Sequence, residues 1–314
     1  QKVPKSSNCR FFAPPVSYFP EDRAHRYPVM IYGITGNTQK EQLWEPVSEL
    51  IRWMARQGLE VRLHPDVARG LVARGLLSED EAAALTAHDL AAEVDLLLSF
   101  GGAGTLLQSA HLAGRRGTPV LGVNIGRMGF LADVEVEQVR EAIRTIEAGD
   151  YHLEARTVLE AELEDGPVPE LPWALNEFVI DRSGLAGLIT IDVTVDGVSL
   201  TRYWADGLIF STPTGSTAYS LSAGGPIVSP ECEVVILTPI APHTLTLRPI
   251  VLPASVEIEA RVYTGGQPYV LAADGRSQLI HREGQRITIR RAEHTVNLVK
   301  LPGQHYFQTL RSKL

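Results

Sequence analysis

Cysteine is nearly absent from this chain. Two residues, Cys9 and Cys232, cannot build a disulfide framework or a cysteine-ligated metal cluster, which fits a reducing compartment. Positive charge is also short: 29 Lys and Arg against 37 Asp and Glu leave a net charge of −8. That balance excludes a surface built for general binding of nucleic acid or anionic membrane. It does not exclude nucleotides, because a few local amides and cations suffice to hold a phosphate. No apolar run approaches the ~20 residues of a membrane span, and the opening lacks the basic-then-apolar order of a secretory leader. The expected compartment is therefore the cytoplasm, with neither membrane nor nucleic acid as a partner. The opening QKVPKSSNCRFFAPP reads as weakly held chain.

What is present is an ordinary globular balance, 44% hydrophobic and 21% charged, over 314 residues, enough for two domains with their own cores. The first half alternates strand and helix. Val29 to Ile34 reads as a strand, and Leu43, Val47, Leu50, Ile51 and Met54 then recur at helical spacing until Gly58. Further strands are expected at Val61 to Leu63, Asp95 to Phe100 and Val120 to Asn124. Helices are expected at Glu79 to Leu85, Gln108 to Ala113 and Glu135 to Ala148. This order predicts an α/β N-terminal domain with a mainly parallel sheet, residues 1–150. Past Gly149-Asp150 the period falls to two, predicting a β-rich C-terminal domain over residues 151–290. Its strands include Ala155 to Glu164, Leu175 to Asp181, Leu188 to Val195, Gly207 to Ser211 and Val234 to Thr238. Helix-like spacing returns in the tail, residues 291–314, which is expected to rejoin the first domain.

Two segments carry chemistry. The apolar run Leu96 to Phe100 empties into GGAGT, Gly101 to Thr105, and then into a helix. Such a turn sets free backbone amides at a helix N-terminus, where phosphate is favoured, although close packing of helix on strand also explains many glycine turns. The second segment, DGLIFSTPTGSTAYSLSAGGP from Asp206 to Pro226, is a strand feeding a run of hydroxyls and glycines. It reads as a polyanion-binding turn in which Ser211, Thr212, Thr214, Ser216 and Thr217 supply donors and acceptors; an ordinary loop has the same composition.

Together with NIGRMGFLAD (Asn124 to Asp133), LNEFVIDR (Leu175 to Arg182) and LTPIAPHTLTLRPIVLP (Leu237 to Pro253), these segments resemble the NAD kinase family. The resemblance runs from about Val29 to the C-terminus, and the Asp206 to Pro226 motif is its most specific part. It implies transfer of a phosphoryl group from ATP, or in some members polyphosphate, to the 2′-hydroxyl of the adenosine ribose of NAD, giving NADP, with Mg²⁺ on the phosphates. It also implies a homodimer or homotetramer. By position it assigns the phosphate turn to Gly101, Gly102, Gly104 and Thr105. It assigns contacts with NAD to Gly104, Phe130, Asn176, Glu177, Asp206, Thr214, Thr217, Ala218, Tyr219, Ala241 and Asp274. No protein side chain is assigned to metal. His243 reads as structural, and Arg276 faces phosphate or solvent.

The chain departs from the resemblance at one place. The family's turn is GGDGT, and Ala103 stands at the position of its catalytic aspartate. A methyl group can neither accept a proton nor help manage metal-bound phosphates, so turnover is expected to be strongly reduced, general-base help being worth about 10²- to 10⁴-fold. The backbone amides do not depend on that side chain, so nucleotide binding is expected to remain. Two other readings stay open: a catalytically inactive NAD- or NADP-binding regulatory protein, and a lipid kinase sharing the glycine turn, which would need an apolar acyl cavity.

Overall fold

Strand and helix alternate from the first described residue onward. The protein is seen here as a computed structural model that describes residues 30–126, 131, 134–168, 171–182, 184 and 187–313. The opening segment and Phe130, both singled out above, lie outside the described residues. In chain order come β1 (Ile31–Gly36), α1 (Trp44–Gln57), β2 (Glu60–Leu63), α2 (Pro65–Ala73), α3 (Glu79–Leu85) and α4 (Leu90–Glu93). Then follow β3 (Leu96–Gly101), α5 (Ala103–Ala113), β4 (Val120–Asn124), β5 (Val134–Glu135), α6 (Val139–Glu147) and β6 (His152–Arg156).

The β-rich half contains β7 (Leu159–Leu163), β8 (Gly166–Pro167), β9 (Trp173–Ala174), β10 (Glu177–Asp181), β11 (Ile189–Val195), β12 (Val198–Ala205) and β13 (Gly207–Ser211). After the short α7 (Tyr219–Ser222) come β14 (Val234–Ile240), β15 (Ile250–Pro253), β16 (Ile258–Tyr263), β17 (Tyr269–Ala273), β18 (Arg276–Ile280) and β19 (Arg286–Arg291). The chain closes with β20 (Val296–Lys300) and α8 (Tyr306–Lys313).

The first sheet runs β2-β1-β3-β4-β20-β6, with β5 beside β4. Its pairs are parallel except at the β20–β6 edge. Burial on both faces explains why β3 and β4 are mostly apolar, with Ser99 and Asn124 as the buried polar members. On one face Tyr32, Ile34, Leu98, Phe100 and Val123 pack against α1, α2 and α6; on the other Leu97, Val120 and Leu298 pack with Leu106 and Ala110 of α5. From β1 the chain goes to β2 on one side and then to β3 on the other. The gap between β1 and β3 is thus a topological switch point, and in open α/β sheets ligands bind beyond the carboxyl ends of the strands at such a point. Gly101, the last residue of β3, sits there.

The second half forms two antiparallel sheets, ordered β15-β14-β13-β10-β17-β18 and β12-β11-β16-β19-β7-β8. They share one core, in which Phe178, Ile180, Leu208 and Phe210 of the first sheet join Ile191, Tyr203, Val262 and Ile289 of the second.

Several expectations need correction. The single strand expected over Ala155 to Glu164 is two: β6 pairs with β20 in the first sheet, and the chain turns at Thr157-Val158 before β7 enters the sandwich. The chain therefore leaves the first sheet after Arg156, past the change of texture at Asp150. The helix expected from Glu135 begins at Val139, after the short strand β5 and a 3-10 turn. Helix α2 was missed because its cap is unusual: the His64 ring nitrogen accepts from the Asp66 amide, with Pro65 in the first turn. The end of α1 is as expected, with Gly58 in the left-handed conformation at φ 72°.

Candidate functional site

At the switch point β3 passes into α5 with no spare room. A Cβ on Gly101 would stand 2.1 Å from the Thr105 hydroxyl oxygen, so only glycine lets the strand turn so tightly into the helix. Gly102 and Gly104, by contrast, face open space. No side chain caps α5, and its first intrahelical bond is Leu106 N–H to the Gly102 carbonyl. The amides of Ala103, Gly104 and Thr105 have no protein acceptor among the described residues. Three open N–H groups at the positive end of an 11-residue helix make an anion site. Ala103 is the first residue of that helix and is half-buried.

The Asp206 to Pro226 segment behaves differently. Ser211, Thr212 and Ser216 are fully buried, and their hydroxyls are spent within the protein. Thr212 Oγ1 donates to the Leu175 carbonyl at 2.6 Å and accepts from Gly215 N–H at 3.1 Å. Ser211 Oγ donates to the Thr212 carbonyl, and Ser216 Oγ bridges the carbonyl and amide of Val228. Thr217 Oγ1 donates to the Thr214 carbonyl, while Thr214 Oγ1 accepts from the buried Arg156 at 3.3 Å. Gly215 is indispensable, since a Cβ there would lie 2.2 Å from the Asn176 carbonyl oxygen. Thr212 and Ser211 thus tie the turn to the Leu175 and Asn176 carbonyls, whereas Ser216, Thr217 and Thr214 bond to Val228, to the turn itself and to Arg156.

A cavity of about 310 Å³ opens over β10 and β17, lined by Glu177, Asp181, Ala273 and Asp274 among others, to which the segment contributes Tyr219. At the foot of it, the Asp274 carboxylate is fully enclosed and accepts from the amides of Leu175 (2.7 Å), Asn176 (2.8 Å) and Glu177 (3.4 Å) and from His111 Nε2 (2.9 Å). Asp274 itself is held at φ 48°, a left-handed conformation that aspartate tolerates better than most residues. Beside it, burial and then the Asp274 charge push the Glu177 carboxyl from 4.5 up to about 8, against the opposing pull of the Tyr219 N–H. Tyr219 is partly exposed. Burial and the nearby Asp181, Asp206 and Glu177 carboxylates raise its phenol above 10.0.

Two buried side-chain oxygens here, Asn176 Oδ1 and Glu177 Oε2, have no partner among the described residues, which is rare for buried polar atoms. The cavity sets the polar Glu177, Asp181 and Tyr219 among the apolar Val179, Val270, Ala272 and Ala273, a mixed lining that suits a nucleoside, while the open amides of the α5 turn suit an anion. No group of three or more His, Cys, Asp or Glu among the described residues forms a metal cage.

Of the residues named from sequence, Asn176, Glu177, Tyr219 and Asp274 come together. Asp206 stands near them, ion-paired with Arg182 at 3.2 Å. Ala241, at φ 43°, follows Ile240, whose carbonyl accepts from the Asp206 amide. Thr214, Thr217 and Ala218 lie in the turn but do not line the cavity. The amide of the exposed His243 donates to the Trp204 carbonyl, and its ring packs on that indole. Arg276 is exposed and its guanidinium reaches the His111 ring. Sequence reasoning missed His111 and Arg156. The sequence offered little signal for His111, one of several polar residues on α5 beside Thr105, Gln108 and Ser109.

Comparison with known proteins agrees with this geometry. The family model of the ATP-NAD kinase N-terminal domain matches residues 32–151, and that of the ATP-NAD kinase C-terminal domain matches residues 175–301. The NAD kinase of Bacteroides fragilis is 38% identical over 289 residues, covering 91% of this chain and 97% of that protein. Among solved structures, yeast NADH kinase complexed with NADH superposes with a TM-score of 0.82 at 28% identity, covering 91% of this chain and 87% of that one. An NAD kinase from Archaeoglobus fulgidus in complex with ATP gives 0.69 at 26% identity, covering 90% and 98%. With a glycine turn at the switch point, a nucleoside-sized cavity beside it and relatives that match along nearly the whole length, the chain belongs to the ATP-NAD kinase family.

Proposed function

We propose that the protein binds NAD and ATP and transfers the γ-phosphoryl group of ATP to the 2′-hydroxyl of the adenosine ribose of NAD, giving NADP, at a rate strongly reduced by Ala103. The observation that carries this reading is the pairing of an α5 N-terminus without a side-chain cap with a cavity lined by Glu177, Asp181 and Tyr219, in which Glu177 Oε2 has no partner among the described residues. The ligands named for the structural relatives, NADH in the yeast enzyme and ATP in the archaeal one, support both halves of it.

In this reading the amides of Ala103, Gly104 and Thr105 hold donor phosphates, which bring Mg²⁺ with them; the metal screens their charge. Asn176, Glu177 and Asp206 receive the donors of the nucleoside, and Tyr219 offers a ring face. Thr214, Thr217, Ala218 and Ala241 shape the surrounding wall. Transfer is direct and in line, so the protein's work is placement and charge neutralisation. At position 103 a carboxylate would orient or deprotonate the attacking hydroxyl, and the alanine methyl does neither. We further propose a cytoplasmic homodimer or homotetramer assembled through the β-rich half.

The test is ATP- and Mg²⁺-dependent conversion of NAD to NADP by this chain and by Ala103→Asp at equal concentration. The expected result is a rate about 10²- to 10⁴-fold higher in Ala103→Asp. Equal rates would refute the role given to position 103. Binding of NAD with no turnover in either chain would favour the second reading, an inactive NAD- or NADP-binding regulator, for which the methyl group at 103 is the supporting observation.

A further inference from the structure

His111 lies on α5, eight residues and about 12 Å of helix beyond the anion turn. Its ring is locked from several directions. It stacks on Trp173 with centroids 3.8 Å apart and planes inclined at 26°, and Arg276 Nη2 stands 3.1 Å from both ring nitrogens. Trp173 is itself wedged by His294, edge-on at 5.3 Å. Held this way, Nε2 points at Asp274 Oδ2, 2.9 Å away. That same oxygen accepts from Leu175 N–H, and its neighbour Oδ1 accepts from Asn176 N–H and Glu177 N–H. A continuous chain of bonds therefore joins the helix that starts at the glycine turn to the 175–177 backbone, which presents Glu177 to the cavity.

We propose that His111 is a positioning residue that fixes the Asp274 carboxylate and thereby sets the 175–177 backbone in register with the α5 anion turn. It touches neither nucleotide in this arrangement and acts through Asp274 alone. Its consequence for NAD rests on the function proposed above, whereas the mechanical link does not. A fully enclosed carboxylate with four donors has one orientation; with the imidazole donor gone, Oδ2 keeps only the Leu175 amide and the carboxylate can swing about χ2. The stack on Trp173 makes the link stiff, because the ring cannot follow Asp274 without leaving the indole.

Two substitutions separate the bond from the ring. His111→Phe keeps the stack and loses the donor; His111→Gln keeps an N–H donor at nearly the same reach and loses the ring. Hydrogen exchange of the ligand-free protein, followed over the peptide containing Leu175, Asn176 and Glu177, should be at least about tenfold faster in His111→Phe. This corresponds to losing a hydrogen bond to a charged group. In His111→Gln it should stay within about threefold of the parent, with thermal midpoints reporting that both variants fold. NAD titration should follow the same order, with a tenfold or greater rise in Kd for His111→Phe and near-parental affinity for His111→Gln. Unchanged exchange in His111→Phe, or equal disturbance in both variants, overturns the proposal. Should His111→Phe not fold, His111→Ala, which loses both donor and ring, is read against His111→Gln, which loses the ring alone, and the difference between them is the donor's effect. Exchange that responds as expected in a parent that binds no NAD would leave the link standing and refute the functional reading instead.

Discussion

The two turns that look most alike in the sequence do opposite things in the fold. Both follow a buried strand, both are glycine-rich, and both read as places for a polyanion. At Gly101 to Thr105 the glycines leave three amides without a partner among the described residues at the end of a helix. At Asp206 to Pro226 nearly every hydroxyl is answered internally, and the surface that remains is edged with carboxylates. Composition says that a segment can bind phosphate; the hydrogen-bond account says whether anything is left over to do it. The first turn keeps its donors, and the second spends its own to expose other residues' acceptors.

The largest expected effect separates their glycines. Gly215→Ala drives a Cβ to 2.2 Å from the Asn176 carbonyl oxygen, where backbone must move. A loss of about 3 kcal/mol, at the upper end of overpacking costs, is expected, with weaker NAD binding. Gly104→Ala meets nothing within 4 Å. It should leave the thermal midpoint unchanged or slightly raised, since alanine favours helix, while ATP affinity falls because the methyl group stands where phosphate would approach. Thermal unfolding with parallel NAD and ATP titrations checks both. Equal destabilisation by the two substitutions would dissolve the contrast.

The next effect is electrostatic. The folded Glu177 carboxyl, at about 8, lies above its ordinary 4.5, so the folded state holds the extra proton. Its contribution to stability is complete below pH 4.5 and is lost as pH rises through about 8, when the native state must accept a charge beside Asp274. Each unit of displacement is worth about 1.4 kcal/mol. Glu177→Gln, isosteric and neutral, should therefore flatten the fall in stability between pH 5 and pH 9, read from denaturant midpoints at fixed ionic strength. Parallel curves for the two proteins would mean that Glu177 is ionised throughout.

A smaller loss is expected from Thr212→Val. The hydroxyl between the Leu175 carbonyl and the Gly215 amide disappears, leaving two buried backbone groups unpaired at a cost of about 1–3 kcal/mol. Because the valine fills the same volume, the loss isolates the clamp from packing. Denaturant unfolding measures it, and a neutral result would show that the turn is held by its glycines alone.

How much of this was readable beforehand follows from range. Period and run length disclosed the parallel sheet, because β3 and β4 are apolar on both faces, and the glycine turn announced itself through a strand ending where a helix begins. The pairing of β6 with β20, 140 residues apart along the chain, left no local trace, since β6 is a mostly exposed edge strand. Asn176, Glu177 and Asp274 were named by resemblance, yet their shared carboxylate hub joins positions about a hundred residues apart. The fate of the serine and threonine hydroxyls was unreadable for the same reason: whether a hydroxyl is free depends on a partner that the sequence places elsewhere.

The smallest effect tests the openness of the first turn directly. Ala103 is the first residue of α5, where a carboxylate faces the positive end of the helix and the amides of Gly104 and Thr105. Ala103→Asp should therefore stabilise the ligand-free protein by about 0.3–1 kcal/mol at low ionic strength, with the gain shrinking as salt is added. This runs against the usual sense of a catalytic carboxylate as a burden on the fold. Here the same charge serves the helix when no nucleotide is bound and opposes the phosphates when one is, so ATP without Mg²⁺ should bind Ala103→Asp more weakly than it binds the parent. Thermal midpoints across a salt series, with and without ATP, measure both signs in one experiment. A salt-independent midpoint with no gain would mean that the α5 amides already have partners, and the distinction between the two turns would fail at its simpler end.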